Sequence, residues 1–322
     1  MVAIRPMLFP VFFLVNLIFT YAPLAAETEV ITDYRPILRA GRDSSGQIRI
    51  AIRQYKSNNV PYLLNVNPAT LETSAVKAAT IDFTGDISLD SLRKTPFVKT
   101  LDRYKAMSCK LQNHGAVRAE YPVSGMFLTV DMCPSRRPFE KFFFTTLADL
   151  SREKLIGTPV AIAVTGNWME NHRDELAWII QQIREGRLAV TWVNHSATHP
   201  YNPGAPLERN FLLSPGIDLE REIFGTERLL LENGLIPSPF FRFPGLVADG
   251  KLMEKLRDLA LIPVGSDAWL AKGETPESGS FILVHGNGNE PQGISKVMKL
   301  LQKPGEVKLL PLRKAFTSSG GK

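Results

Sequence analysis

From Met126 onward, short apolar runs alternate with amphipathic stretches, and this alternation restricts the fold more than any other feature. Residues 126–130, 160–164, 188–193, 240–243, 262–264 and 281–284 read as buried strands. Between them, residues 139–153, 172–185, 218–233, 251–259 and 293–301 read as helices. In the second of these, Leu176, Ile179, Ile180 and Ile183 share one face, and Gly234 stands where the third should be capped. Strands that alternate with helices require crossover connections, hence parallel strands in an α/β sheet or barrel.

In such architectures the carboxyl ends of the strands open onto one crevice. Asp131 follows the first strand, His195 and His199 the third, Arg242 ends the fourth, Asp267 and Trp269 follow the fifth, and His285 follows the sixth. Separate segments thus deliver chemically competent groups to one place. His195-Ser-Ala-Thr-His199 is a four-residue step that, on a helical turn, sets both imidazoles on one face for a single ion. Ser196 stands where the metallopeptidase pattern needs a glutamate, which excludes that reading. Arg242 lies between phenylalanines and therefore needs a carboxylate partner. His285 precedes Gly286-Asn-Gly-Asn289, an expected exposed and flexible loop that suits a proton donor. Trp269 reads as core or as a wall against which a sugar ring could pack.

The segments Leu128-Thr-Val-Asp131, His195-Ser-Ala-Thr-His-Pro200, Arg242-Phe-Pro-Gly245, Asp267-Ala-Trp269 and Leu283-Val-His285 together resemble the NodB-type polysaccharide deacetylases, carbohydrate esterase family 4. All five motif regions occur in order across residues 124–302, the histidine motif being the most specific. The resemblance implies a distorted (β/α) barrel, usually of seven strands. It also implies removal of acetyl groups from chitin-like glycans, peptidoglycan or lipo-oligosaccharides, with Zn²⁺ or a similar ion such as Co²⁺ or Ni²⁺. By the same resemblance, His195 and His199 bind the metal and Asp131 is the general base, oriented by Arg242. His285 is then the general acid, helped by Asp267.

The family's second aspartate, its third metal ligand, is here Met132, and a thioether is a poor ligand for a hydrolytic zinc. Three outcomes follow. Asp131 serves as a metal ligand itself, the two histidines suffice with water, or the cleft binds glycan without turnover. A hydrolase of a different acylated substrate on the same scaffold is a further reading.

The rest of the chain carries less chemistry. Residues 27–123 read as an N-terminal extension packed on a catalytic domain at 124–310, with a C-terminal tail at 311–322 that is frayed after Phe316. Within the extension, residues 47–53 alternate with period two like a half-buried strand. Residues 61–66 suit a partner strand, and 88–111 a helix broken at Pro96. Arg5, the apolar residues 7–21 and the small residues ending at Ala26 read as a signal peptide, with an uncleaved anchor as the alternative. The chain is therefore expected to be exported, to the periplasm or beyond, with no membrane span after cleavage. The net charge of +6 favours anionic surroundings such as acidic glycans. No basic run with interleaved aromatics points to nucleic acid. Cys109 and Cys133 are either a disulfide or two buried thiols. Expression with the intact leader should yield a mature chain whose first residue, by mass spectrometry, is Glu27; a mature chain that keeps residues 1–26 contradicts cleavage.

Overall fold

The computed structural model describes residues 29–106, 110–151, 157–302 and 307–318; the apolar leader and Cys109 lie outside them. An antiparallel sheet comes first, with β1 (Ile31–Arg42), β2 (Ile48–Ser57), β3 (Val60–Val66) and β4 (Thr73–Lys77) in that order. Its connections are local. Asp43 accepts the backbone N–H groups of Ser45 and Gln47, and Asn58 and Asn59 take the positive φ that a tight hairpin requires. β1 has no apolar alternation because it is a largely exposed edge, with register shifts on either side of Pro36. Two helices follow, α1 (Leu89–Arg93) and α2 (Pro96–Ala106). Pro96 opens the second, where its missing N–H leaves no intrahelical bond unmade.

The remaining elements form the α/β unit. In chain order they are β5 (Phe127–Met132), α3 (Lys141–Asp149), β6 (Thr158–Val164), α4 (Gly166–Asn171), α5 (Arg173–Arg184), β7 (Leu188–Asn194) and α6 (Leu219–Glu232). Then come β8 (Pro237–Phe241), α7 (Gly250–Asp258), β9 (Ile262–Pro263), β10 (Ala268–Trp269), β11 (Phe281–His285) and α8 (Pro291–Leu301). The seven strands are parallel in the order β10-β11-β5-β6-β7-β8-β9. This is the chain order of a curled sheet, open between β9 and β10. The two-residue β10 is too short to leave a pattern in the sequence.

Part of the expected extension closes that opening. Ala116 donates its N–H to the Pro263 carbonyl (2.9 Å), Gly265 donates to Ala116 (2.7 Å), and Ala119 donates to Gly279 (2.8 Å). The strand passes so close that a Cβ on Gly115, at φ +112°, would lie 2.6 Å from the Pro263 oxygen.

Strand parity divides the core. Leu128, Val130 and Met132 of β5 join Val160, Ile162 and Val164 of β6 in the layer beneath the helices, with Phe143, Phe144 and Leu147 of α3. Phe127, Ala161 and Ala163 point to the opposite, inner side. There Phe316 stacks on Phe240 (5.1 Å) and meets the edge of Phe281 (6.2 Å). Leu312, Ala315 and Phe316 are fully buried, so the segment expected as a tail is core as far as Phe316.

The antiparallel sheet is anchored by a buried charge. Arg53 places Nε and Nη2 on the two oxygens of Glu227 in α6 (2.7 and 2.9 Å) and Nη1 on the Leu259 carbonyl (2.7 Å). The Tyr34 hydroxyl donates to the same carboxylate (2.7 Å). Phe316→Ala should cost about 3–5 kcal/mol of stability, read by urea unfolding. A loss under about 1 kcal/mol would contradict a plug at the inner end of the sheet.

Candidate functional site

Parity continues past the end of β5. Thr129 and Asp131 face inward, and Cys133, two residues on, lines the same cavity, whereas Met132 is turned into the helix layer. The Met132 sulfur sits so near Gly286 that a Cβ there would be 2.9 Å from it. Met132 therefore stands outside the site, and Cys133 and Glu290 are the site residues that sequence reasoning missed. The signal for Cys133 was available: on a strand, residues i and i+2 share a face.

The cavity, of about 780 Å³, is lined by Asp131, Cys133, His195, His199, Trp269, His285 and Glu290 among others. Arg242 is wholly buried beneath it. Its Nη1 donates to Asp131 Oδ1 (2.8 Å) and Thr129 Oγ1 (2.9 Å), and its Nη2 to the Gly265 carbonyl (2.8 Å). Its own carbonyl oxygen lies 2.8 Å from His195 Nδ1. A proton on Nδ1 fixes the ring and leaves the Nε2 lone pair free for an ion, the arrangement common in metal-ligating histidines. That Nε2 is 3.5 Å from Cys133 Sγ and 3.6 Å from Asp131 Oδ2.

His195 and His199 converge, but not on a helical turn as the spacing suggested. Residues 195–200 are an irregular loop in which Ser196 (φ 68°) and His199 (φ 50°) take left-handed conformations. Side chains hold that loop from below. Asn194 Oδ1 accepts the Ser196 N–H, and Glu222 of α6 accepts both the N–H and the hydroxyl of Thr198. The two imidazoles meet edge to face at 4.9 Å.

Among the described residues, Cys133, His195 and His199 form the group able to hold a metal ion, their donor atoms all within 4.8 Å of one another. Sulfur with two imidazole nitrogens suits zinc and cobalt better than magnesium or calcium. Asp131 stands beside this group with one oxygen committed to Arg242. Burial pushes the Cys133 thiol up, but the His199 and His195 imidazoles outweigh it and hold the thiol well below its usual range. Cys133 is a free thiol whose sulfur faces the imidazoles; its expected partner in a bridge, Cys109, lies outside the described residues.

His285 lies opposite Asp131 in the β11–β5 register. Its Nδ1 is 2.8 Å from Glu290 Oε2, which also accepts the Trp269 indole N–H (2.8 Å). Burial lowers the pKa of the imidazole, yet hydrogen bonding to Cys133 and Glu290 raises it well above the usual histidine value. The Asp267 expectation is corrected here. Asp267 accepts the backbone N–H of Phe281 (2.9 Å), at the start of β11, four residues before His285. Four residues of strand span about 13 Å, so its carboxylate is out of reach; Glu290 holds the place beside His285. The loop after His285 is not exposed throughout. Asn287 is buried and donates to the Cys133 carbonyl (2.7 Å), clasping the end of β5.

Trp269 has Lys272 Nζ 3.5 Å above its ring, and Tyr201, 62 % exposed, stacks on Phe211 at the opposite rim (5.2 Å).

Residues 32–84 match the family model described as the RP012 protein N-terminal domain. The chain is also similar in structure to solved proteins of carbohydrate esterase family 4 and to a chitin deacetylase. A family 4 carbohydrate esterase from Bacillus anthracis aligns at 18% identity, covering 62% of this chain and 86% of that one, with a TM-score of 0.42. The chitin deacetylase of the fungal pathogen Colletotrichum lindemuthianum aligns at 14% identity, over 65% and 94%, with a TM-score of 0.41. A family 4 pseudoenzyme from Bacillus anthracis aligns at 13% identity, over 61% and 66%, with a TM-score of 0.40.

Arg242→Met strips a buried carboxylate of its partner and should cost about 3–5 kcal/mol. Arg242→Lys should recover only part, since one ammonium cannot reach Thr129, Asp131 and Gly265 in the guanidinium's fork. Denaturant unfolding reads both, and full recovery by lysine would contradict the forked arrangement.

Proposed function

We propose that the chain is a metal-dependent hydrolase that removes acetyl groups, by N-deacetylation, from an envelope or extracellular glycan. The observation that carries this reading is the convergence on one cavity of a metal-capable donor group, an arginine-paired carboxylate and a carboxylate-paired histidine. Amide hydrolysis needs an activated water, an oxyanion stabiliser and a proton for the leaving amine.

When bound at His195 and His199, a divalent ion such as Zn²⁺, Co²⁺ or Ni²⁺ supplies Lewis acidity to the acyl carbonyl and to water. Asp131 takes the proton of the attacking water. Arg242 fixes its Oδ1, and Oδ2 is left facing His195 Nε2. His285 delivers a proton to the departing amine, oriented and charge-balanced by Glu290, while Trp269 positions Glu290. Tyr201 and Phe211 offer apolar faces at the rim for a pyranose ring. The order of the motif residues, which resembles that of polysaccharide deacetylases, supports the same reaction class, and the expected leader supports a glycan outside the cytoplasm as substrate.

The test is acetate release from N-acetylated chito-oligosaccharides and peptidoglycan fragments by chelator-treated protein, with Zn²⁺, Co²⁺ or Ni²⁺ restored. Release should depend on metal, and Asp131→Asn should lower kcat by about 10²–10⁴-fold. Glu290→Gln should lower kcat with little change in KM, whereas Asp267→Asn should leave kcat within about twofold, being too distant to act on His285. Glycan binding without acetate release, in protein that retains its metal, would overturn the hydrolase reading.

A further inference from the structure

We propose that Cys133, through its thiolate sulfur, is the third protein ligand of the metal site, completing a Cys–His–His set in place of a carboxylate. The inference rests on the proposed function only in placing an ion at His195 and His199.

Three independent features of the geometry carry it. The first is separation. A tetrahedral zinc with a Zn–S bond of about 2.3 Å and a Zn–N bond of about 2.05 Å holds its sulfur and nitrogen donors about 3.5 Å apart. Cys133 Sγ and His195 Nε2 are 3.5 Å apart, and His199 brings its donor within 4.8 Å of both. The second is orientation. The Arg242 carbonyl fixes His195 with Nε2 toward the sulfur, and Asn287 pins the Cys133 carbonyl, so both donors are held before any ion arrives. The third is parity. Met132, next to Asp131 in sequence, is committed to the helix layer, so the chain reaches the ion from the following residue instead.

The substitution preserves charge, since a thiolate, like a carboxylate, contributes one negative charge to the site. It changes softness. Sulfur favours zinc, cobalt and cadmium over manganese and magnesium. It also frees Asp131 from ligation, leaving its carboxylate for proton transfer.

The test is Co²⁺ titration of the full chain, with metal content by mass spectrometry. One equivalent should bind and produce a thiolate-to-cobalt charge-transfer band in the near ultraviolet. Cys133→Ser should abolish the band and raise the Kd for Zn²⁺ at least about tenfold. Cys109→Ser should leave both unchanged. Cys133→Asp should bind Co²⁺ without the band, separating loss of a ligand from loss of the fold. Zn²⁺ should also protect Cys133 from iodoacetamide, read by peptide mapping. A charge-transfer band that survives in Cys133→Ser, or alkylation of Cys133 at one rate with and without Zn²⁺, overturns the proposal. The two readings fail separately. A band without acetate release on any glycan sinks the deacetylase reading alone, and metal-dependent release without a band sinks the thiolate ligand alone.

Discussion

The Arg242 guanidinium ties separate strand ends together beneath the cavity. From the end of β8 it reaches Thr129 and Asp131 on β5 and the Gly265 carbonyl beyond β9, while its own carbonyl holds the His195 ring that follows β7. A charge wholly excluded from water is tolerable only when an anion lies beside it. Asp131 supplies that anion. The same contact that makes the arginine affordable therefore fixes the carboxylate's orientation, and through the carbonyl it fixes the face that His195 presents to the cavity.

A second buried pair extends this bracing outward. Helix α6 carries Glu222 near its start and Glu227 further along. Glu222 takes both hydrogen-bond donors of Thr198 and so shapes the loop bearing His199. Glu227 receives Arg53 and Tyr34 from the antiparallel sheet. One helix thus meets the histidine loop at one end and the N-terminal sheet at the other. Residues 112–119, stitched along β9, tie the same N-terminal region to the open edge of the parallel sheet. Both contacts give residues that showed no chemistry in the sequence a structural part in shaping the cavity.

Much of this was legible in the sequence, for physical reasons that also explain the gaps. The strands β5, β6 and β11 are buried on both faces, so they appear as continuous apolar runs whatever their neighbours. The convergence of strand ends follows from parallel connectivity alone. What failed depended on side-chain direction or register. Met132 drew attention because it adjoins Asp131, but adjacent residues on a strand face opposite ways, and Cys133 is the one that shares the aspartate's side. Asp267 was expected beside His285 from the family resemblance alone; the β10–β11 register sets it instead at the level of Phe281. The histidine step suggested a helix, whereas two left-handed residues and the Glu222 carboxylate shape the loop.

The account turns on Cys133, just past the end of β5, delivering a thiolate together with two imidazoles to a single ion. X-ray absorption at the zinc edge of the metal-loaded protein tests this directly. One sulfur scatterer at about 2.3 Å with nitrogen or oxygen neighbours at about 2.0–2.1 Å is the expected shell. A first shell made only of nitrogen and oxygen would contradict it.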